Sequence, residues 1–223
     1  LASDKELPQE EYEILLHSLF KKYNIPACII ASVVDELNKI LKRACDNVFH
    51  IDSLLLSPKL NLGIKIKLKN PKEAGADRIA NACGAYVLYS KPAIIVDLGT
   101  ATTFDIINKD GDFVGGVIMP GLNLQFRALN KSTSKLPRIE ADTVEKAIGN
   151  NTVDAILSGV IRGSACAIEG LINQCEKELG EKACIVATGG YSSLIAKYMT
   201  REFDFVNPYL TLEGLRFLYE LNK

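Results

Sequence analysis

The sequence predicts an α/β fold of two lobes, each a mixed five-stranded sheet flanked by helices, with the first lobe incomplete. Three observations predict it. Helical and strand periodicities alternate along the chain, three strands follow one another directly from Ala93, and a Lys91-Pro92 pair separates the two stretches. A length of 223 residues suits one bilobal unit or two small packed lobes, placed here at 1–92 and 93–223.

In the first lobe, Tyr12, Leu15, Leu16, Leu19, Phe20 and Tyr23 recur at helical spacing behind Pro8 and predict an amphipathic helix ending near Asn24. The apolar run Ala27 to Ala31 reads as a buried strand, Val34 to Ala44 as a helix, and Val48 to Ile51 as a short strand. Ile64, Ile66 and Leu68 alternate with Lys65, Lys67 and Lys69, a strand with one wet face, and Asn70-Pro71 turns the chain. A helix follows with its apolar face on Ile79, Cys83, Tyr86 and Val87.

The second lobe opens with strands Ala93 to Val96, Thr102 to Ile107 and Phe113 to Ile118, the last two joined by Asp110-Gly111. Pro120-Gly121 introduces a helix to about Asn130, a polar loop follows, and Thr152 to Leu179 reads as one long helix. Strand Cys184 to Ala187, helix Ser192 to Met199, strand Phe203 to Val206 and helix Leu212 to Leu221 close the chain. A three-strand meander followed by alternating helices and strands describes the actin-like, ribonuclease-H-like half-domain. If the lobes are duplicates, the first lacks its meander, which would precede Leu1.

Composition narrows the function classes. Apolar residues make up 48% and charged residues 24%, as in an ordinary globular protein. A net charge of −1 and an isoelectric point near 6.2 give no global reason to bind nucleic acid or an anionic membrane. Five lysines between Ser53 and Lys72 (Lys59, Lys65, Lys67, Lys69, Lys72) have no aromatic residues interleaved and read as a solvated strand face. No uninterrupted apolar run approaches the ~18 residues of a bilayer span, and the first residues are too charged for a signal peptide, so a cytoplasmic protein without membrane partners is expected. The six cysteines form no C-x-x-C pair and there are two histidines, which argues against a zinc site and for cysteines as small buried hydrophobes.

Four stretches carry chemistry. Val96-Asp97-Leu98-Gly99-Thr100-Ala101-Thr102-Thr103 puts an acid at the end of a buried strand and then a Gly-Thr turn; it can cradle phosphate and hold a cation, or be a plain hairpin with a polar tip. It is not a Walker loop, since no G-x-x-x-x-G-K-[ST] occurs. Gly75-Ala76-Asp77-Arg78 opens a helix, where the dipole favours an ionised acid and Arg78 offers a fork for a carboxylate; the plainer reading is an N-terminal cap. Thr188-Gly189-Gly190 lies between a strand and a helix, a turn that admits a ligand against the backbone or simply makes the corner. Gly159, Gly163 and Gly170 sit inside the long helix, each costing about 1 kcal/mol relative to Ala, which close approach of another helix would offset.

Taken together, GADRIANA, VDLGTATTFD, GGVIMPG, STSKLPRIE, IGNNTVDA, IVATGG and NPYLTLEGLRFLYE strongly resemble type III pantothenate kinase, in order and along the whole chain. The resemblance implies ATP-dependent phosphorylation of the 4′-hydroxyl of pantothenate, the first step of coenzyme A synthesis, with Mg²⁺ and a monovalent cation (K⁺ or NH₄⁺), in a homodimer. It assigns Gly75, Ala76, Asp77 and Arg78 to pantothenate binding, with Asp77 as proton acceptor, and Thr152 to a substrate contact offered across a dimer interface. It assigns Asp97 to the potassium ion, and Gly99, Thr100, Thr102, Gly189 and Gly190 to ATP. Two departures stand out: the family's leading Asp-x-Gly-Asn-Thr turn is not in this sequence, and Leu68 stands where a Tyr is usual. A binding or regulatory homologue without turnover is the alternative. A sugar kinase or phosphatase of the same fold is disfavoured by the GADR and STSKLPR combination.

Overall fold

The computed structural model describes residues 6–132 and 139–223. Most of STSKLPRIE, which is the first part of the predicted polar loop, lies outside the described residues; the loop is described from Ile139 on. Packing divides the chain into two compact units, each drawn from more than one stretch of the sequence. The first takes the described residues up to Gly63, Lys69–Gly84 and Thr211–Lys223; the second takes Ile64–Leu68 and Ala85–Leu210.

In the first unit, helix α1 (Gln9–Phe20) packs on α2 (Asp35–Phe49), and the two-residue strands β1 (Ile29–Ile30) and β2 (Leu54–Leu55) pair in parallel. Tyr12, Leu16, Ile30, Leu37, Ala44 and Cys45 form the core. Only Tyr12 and Leu16 of the predicted α1 face are buried; Leu15, Leu19, Phe20 and Tyr23 are exposed. The strand expected at Val48 to Ile51 is not one: α2 continues to Phe49, because its apolar spacing runs on through Ala44, Cys45 and Val48 until His50 turns left-handed at φ 54°. The paired strand comes later, at β2.

Helix α3 (Ala76–Leu88) starts where expected. Its buried residues include Ile79, Ala80, Asn81, Ala82, Cys83 and Ala85, whereas Val87, predicted on the apolar face, is 48% exposed. Small residues let this helix be enclosed on more than one side. Within the first unit, helix α8 (Leu210–Asn222) comes so close that a Cβ on Gly214 would lie 1.9 Å from the Ala80 carbonyl oxygen, and Thr211 Oγ1 bonds Asn81 Oδ1 at 2.6 Å.

The second unit is built on a five-stranded sheet of β3 (Ala93–Leu98), β4 (Ala101–Ile107), β5 (Phe113–Pro120), β6 (Cys184–Thr188) and β7 (Phe205–Val206), in the order β5-β4-β3-β6-β7. The meander β3-β4-β5 is antiparallel, as predicted, and the two later strands β6 and β7 add in parallel beside β3, β7 being shorter than the expected Phe203 to Val206. The Asp110-Gly111 turn is present, with Gly111 at φ 81°. Ile64–Leu68 adds one parallel bridge, Ile66 to Phe113, rather than a full strand; its isoleucines are half-buried and its lysines exposed, and Lys67 pairs with Asp112 at 2.5 Å.

Helix α4 (Leu122–Ser132) follows Gly121. The predicted long helix is α5 (Thr152–Leu157), a π turn at Ser158–Arg162 and α6 (Gly163–Leu179). By length and apolarity Thr152–Leu179 matches a bilayer span, which a count of uninterrupted apolar runs misses. Its Leu157, Val160, Ile161, Ala165, Ile168 and Ile172 pack against Ile94, Val96, Phe104 and Ile185 of the sheet, the position of a core helix. Among the cysteines, Cys45 and Cys83 are buried, but Cys166 is exposed, because it lies on the side of α6 away from that core.

Two acids of α6 hold the chain beyond the short helix α7 (Ser192–Ala196). Glu169 accepts from the N–H groups of Thr200 and Arg201. Glu176, 5% exposed, takes Arg201 bidentately at 2.7 and 2.8 Å, Lys182 at 2.8 Å and the Ala183 N–H at 3.1 Å. The Arg201 fork holds the Glu176 carboxyl down at about 2, against the upward push of burial. That stabilisation is complete above the unfolded glutamate value of ~4.3 and is lost as pH falls towards 2. We expect Glu176→Gln to cost about 2–3 kcal/mol at pH 7, somewhat less than for a wholly buried pair because Arg201 is a third exposed. Urea midpoints of the two proteins should converge as pH is lowered from 7 to 3; a constant difference would contradict the charge argument.

Candidate active site

Asp97 is the penultimate residue of β3, and the turn after it is fixed by glycines from two other segments. Gly99 N–H bonds the Ala101 carbonyl at 3.0 Å, which closes the turn. A Cβ on Gly121 would lie 2.3 Å from the Thr100 carbonyl oxygen and 2.7 Å from that of Gly99. Gly189, at φ 84°, is pressed against the other side: a Cβ there would meet Asp97 Oδ1 and the Leu98 carbonyl carbon, each at 2.6 Å. Tyr191 N–H then donates to the Leu98 carbonyl at 3.2 Å, and Ser192 Oγ donates to that of Gly189 at 2.8 Å. The three glycine motifs are one packed structure, open at Thr100 and Gly190, which are both exposed.

Register decides which side chains share the Asp97 face. Asp97 pairs with Thr103 on β4 and with Thr188 on β6, so Thr103, Asp97 and Thr188 form a row of oxygen-bearing side chains across three strands. Thr188 Oγ1 is buried and has no hydrogen-bond partner among the described residues. A carboxylate flanked by hydroxyls, one of them unsatisfied, is a donor set suited to a hard cation. Thr102 pairs instead with Leu98, is buried, and shares the opposite face. No group of three or more His, Cys, Asp or Glu gathers among the described residues.

In the first unit, Gly75 precedes α3 and its carbonyl accepts the Ile79 N–H at 3.0 Å. Asp77 is exposed in the first turn, where its Oδ1 accepts the Arg78 N–H at 2.8 Å. A Cβ on Gly75 would meet that Oδ1 at 2.6 Å, so glycine leaves the carboxylate its place. Gly75, Ala76, Asp77 and Arg78 thus form one continuous turn, with Arg78 half-buried.

Thr152 begins α5 on the second unit. Asn151 caps that helix by accepting the Asp154 N–H at 3.0 Å, and a Cβ on Gly149 would fall 2.2 Å from the Ala155 nitrogen. The π turn anchors the preceding loop: Ser158 Oγ bonds the Ala147 carbonyl at 2.6 Å, and Arg162 bonds those of Val144 and Glu145.

Comparison with known proteins decides the family. The family model for type III pantothenate kinase matches residues 1–174. The chain belongs to this family. Among its pantothenate kinase relatives, the type III enzyme of Dehalococcoides mccartyi (strain CBDB1) is 45% identical over 228 residues, covering 100% of this chain and 86% of that protein. The type III pantothenate kinase of Bacillus cytotoxicus is 38% identical, with the same coverage. A Campylobacter jejuni structure described as a Baf family transcriptional activator has a TM-score of 0.62 at 20% identity, over 91% of this chain and 86% of that one. The ethanolamine utilization protein EutJ of Carboxydothermus hydrogenoformans has a TM-score of 0.50 at 16% identity, over 93% and 73%. These likenesses speak for the fold, which is actin-like.

Some residues of this pantothenate kinase family member escape sequence reasoning. Thr103 and Thr188 flank Asp97 only through strand register. Tyr191, with Arg127 and Lys131 of α4, lines a cavity of about 650 Å³ next to the Gly189-Gly190 turn. The i, i+4 spacing of Arg127 and Lys131 is the one signal that could have found that basic edge.

The two glycines of this turn should respond differently to alanine. Gly190 has open space and no positive φ, so Gly190→Ala should stay within about 0.5 kcal/mol of the parent. Gly189→Ala adds a left-handed strain of about 1–2 kcal/mol to a clash with the Leu98 backbone, and should destabilise by more than about 2 kcal/mol. Thermal unfolding and nucleotide titration of both variants check this.

Proposed function

We propose that the protein transfers the γ-phosphoryl group of ATP to the 4′-hydroxyl of pantothenate, the first step of coenzyme A biosynthesis, in the cytoplasm of its cell. The observation that carries this reading is the intact Gly75–Arg78 turn, with an exposed carboxylate whose place Gly75 keeps open, in a member of the type III pantothenate kinase family.

Asp77 accepts the hydroxyl proton as the oxygen attacks the γ-phosphorus and the bond to the β-γ bridging oxygen breaks, releasing ADP. Arg78 orients the pantothenate carboxylate through its planar fork. Gly99, Thr100, Gly189 and Gly190 form the phosphate cradle, with Thr102 supporting it from the buried face of β4. Mg²⁺ carried with the nucleotide, and a monovalent cation held by Asp97 with the Thr103 and Thr188 hydroxyls, would supply charge neutralisation. The chain's own contribution is positioning: rigid glycine turns for the phosphates and a fixed acid for the proton.

The two acids should differ in kind. Asp77→Asn keeps size and hydrogen bonding, so turnover should drop roughly 10²–10⁴-fold with pantothenate binding largely kept. Asp97→Asn, and more mildly Thr188→Val, should weaken nucleotide binding and blunt the response to potassium. Titrating pantothenate, ATP and potassium against each variant decides it, and full turnover by Asp77→Asn would sink the assignment.

The functional unit is a homodimer on this reading. Thr152, Ala155, Gly159, Gly163 and Cys166 form an exposed stripe of mostly small residues, and a Cβ on Gly159, Gly163 or Gly170 would meet nothing within 4 Å among the described residues. Close packing among the described residues therefore does not explain the glycines, whereas a second copy seated there would, bringing Thr152 to a shared substrate site. Gly163→Leu should strengthen the helix by about 0.8 kcal/mol yet weaken the dimer. Sedimentation velocity should show more monomer; an unchanged dimer would place the interface elsewhere.

A further inference from the structure

We propose that Arg162 is a positioning residue for the acceptor substrate: with Tyr198 it clamps the backbone at Val144 and Glu145 and so sets the segment that presents Thr152. The proposal rests on the reading of Thr152 as a substrate contact given above. Neither Arg162 nor Tyr198 has a part in the phosphoryl transfer itself.

The segment needs a clamp because no regular structure supplies its hydrogen bonds. Residues 139–151 belong to no helix or strand, yet Val144 is 6% exposed and packs in the core of the second unit. A backbone brought that deep requires partners for its N–H and C=O groups. Side chains provide them. The Val144 N–H donates to the Tyr198 hydroxyl at 2.7 Å, and Arg162 Nη2 donates to the Val144 carbonyl at 3.2 Å and to that of Glu145 at 2.7 Å. The Arg162 guanidinium also lies over the Tyr198 ring, 4.9 Å from its centroid, so the two side chains brace each other.

The π turn aims Arg162 at this backbone. In it the Gly163 N–H donates to the Ser158 carbonyl, one residue further back than in an α-helix. Leu157, Val160, Ile161 and Ala165 point into the sheet core, while Ser158 and Arg162 reach the segment beside the helix. Ser158 meets Ala147 and Arg162 meets Val144 and Glu145, so the segment runs antiparallel to the helix and is fastened at both ends of the turn.

From there the geometry leads to Thr152. A Cβ on Gly149 would fall 2.2 Å from the Ala155 nitrogen, so the chain passes against the first turn of α5. Asn151 accepts the Asp154 N–H at 3.0 Å and its Nδ2 donates to Asp154 Oδ2 at 2.7 Å. Helix α5 has only 6 residues, so its first turn, with Thr152, follows the angle at which the chain enters it. Releasing Val144 loosens that angle and with it the position of Thr152. The turns at Gly99 and Gly189 have close contacts of their own and are untouched by the clamp. The role is therefore selective for the acceptor over the nucleotide.

The test compares the full-length protein with Arg162→Met, which keeps an apolar stem and removes the guanidinium. Amide hydrogen exchange over residues 142–151 should become at least about tenfold faster, with the peptides of β3 and β4 unchanged. In steady-state kinetics the pantothenate KM should rise about tenfold while kcat and the ATP KM stay within about twofold; a general loss of structure would move all three. Tyr198→Phe removes only the hydroxyl and should show the same pattern at about threefold, which keeps the test open if Arg162→Met does not fold. The double variant should be little worse than Arg162→Met, because both side chains act on Val144. Unchanged exchange, faster exchange without a rise in the pantothenate KM, or an equal rise in the ATP KM would overturn the proposal. A wild-type protein that does not phosphorylate pantothenate overturns the functional reading instead, and the exchange rates still decide whether Arg162 holds the segment.

Discussion

Close packing of Gly189 and Gly121 on the Leu98-Gly99-Thr100 turn is the constraint on which the Asp97 end of the sheet depends. Side chains at these two glycines would overlap backbone atoms of that turn, so the meander, the start of α4 and the turn after β6 are brought together at the C-terminal end of β3. Behind them, β3 is paired on both sides and its first four residues are wholly buried, so Asp97 stands at the end of a strand that cannot easily shift. Rigidity of this kind suits phosphoryl transfer, where the protein acts through placement more than through covalent chemistry.

The Gly75–Arg78 turn is stabilised by different means. Its residues sit at the start of a helix rich in small side chains, and α8 fits against that helix through Gly214 and the Thr211 to Asn81 hydrogen bond within the same unit. Asp77 needs mainly an undisturbed place, which Gly75 leaves open.

Much of this was legible in the sequence because it is local. Strand alternation, the Asp110-Gly111 turn and the glycine motifs report backbone preferences that act over a few residues, and the lysine stripe on Ile64–Leu68 obeys the two-residue period even though only one bridge forms there. Errors arose where the local signal was ambiguous. The apolar spacing at Val48 fits a helix end as well as a strand start, and the α1 and α3 faces could be phased in more than one way, so Val87 and Leu19 were assigned to a buried side that packing does not cover.

The sequence by itself determined the family and, from Ala93 on, the order of elements, and it presents Asp77, Arg78, Asp97 and the glycine turns in contiguous residues with their own backbone demands. Only the tertiary structure decided that α8 packs with the first unit and that Thr103 and Thr188 rather than Thr102 flank Asp97. Each of these is a contact between residues distant in the chain, fixed by register and core packing, and no periodicity within a single segment can carry that information.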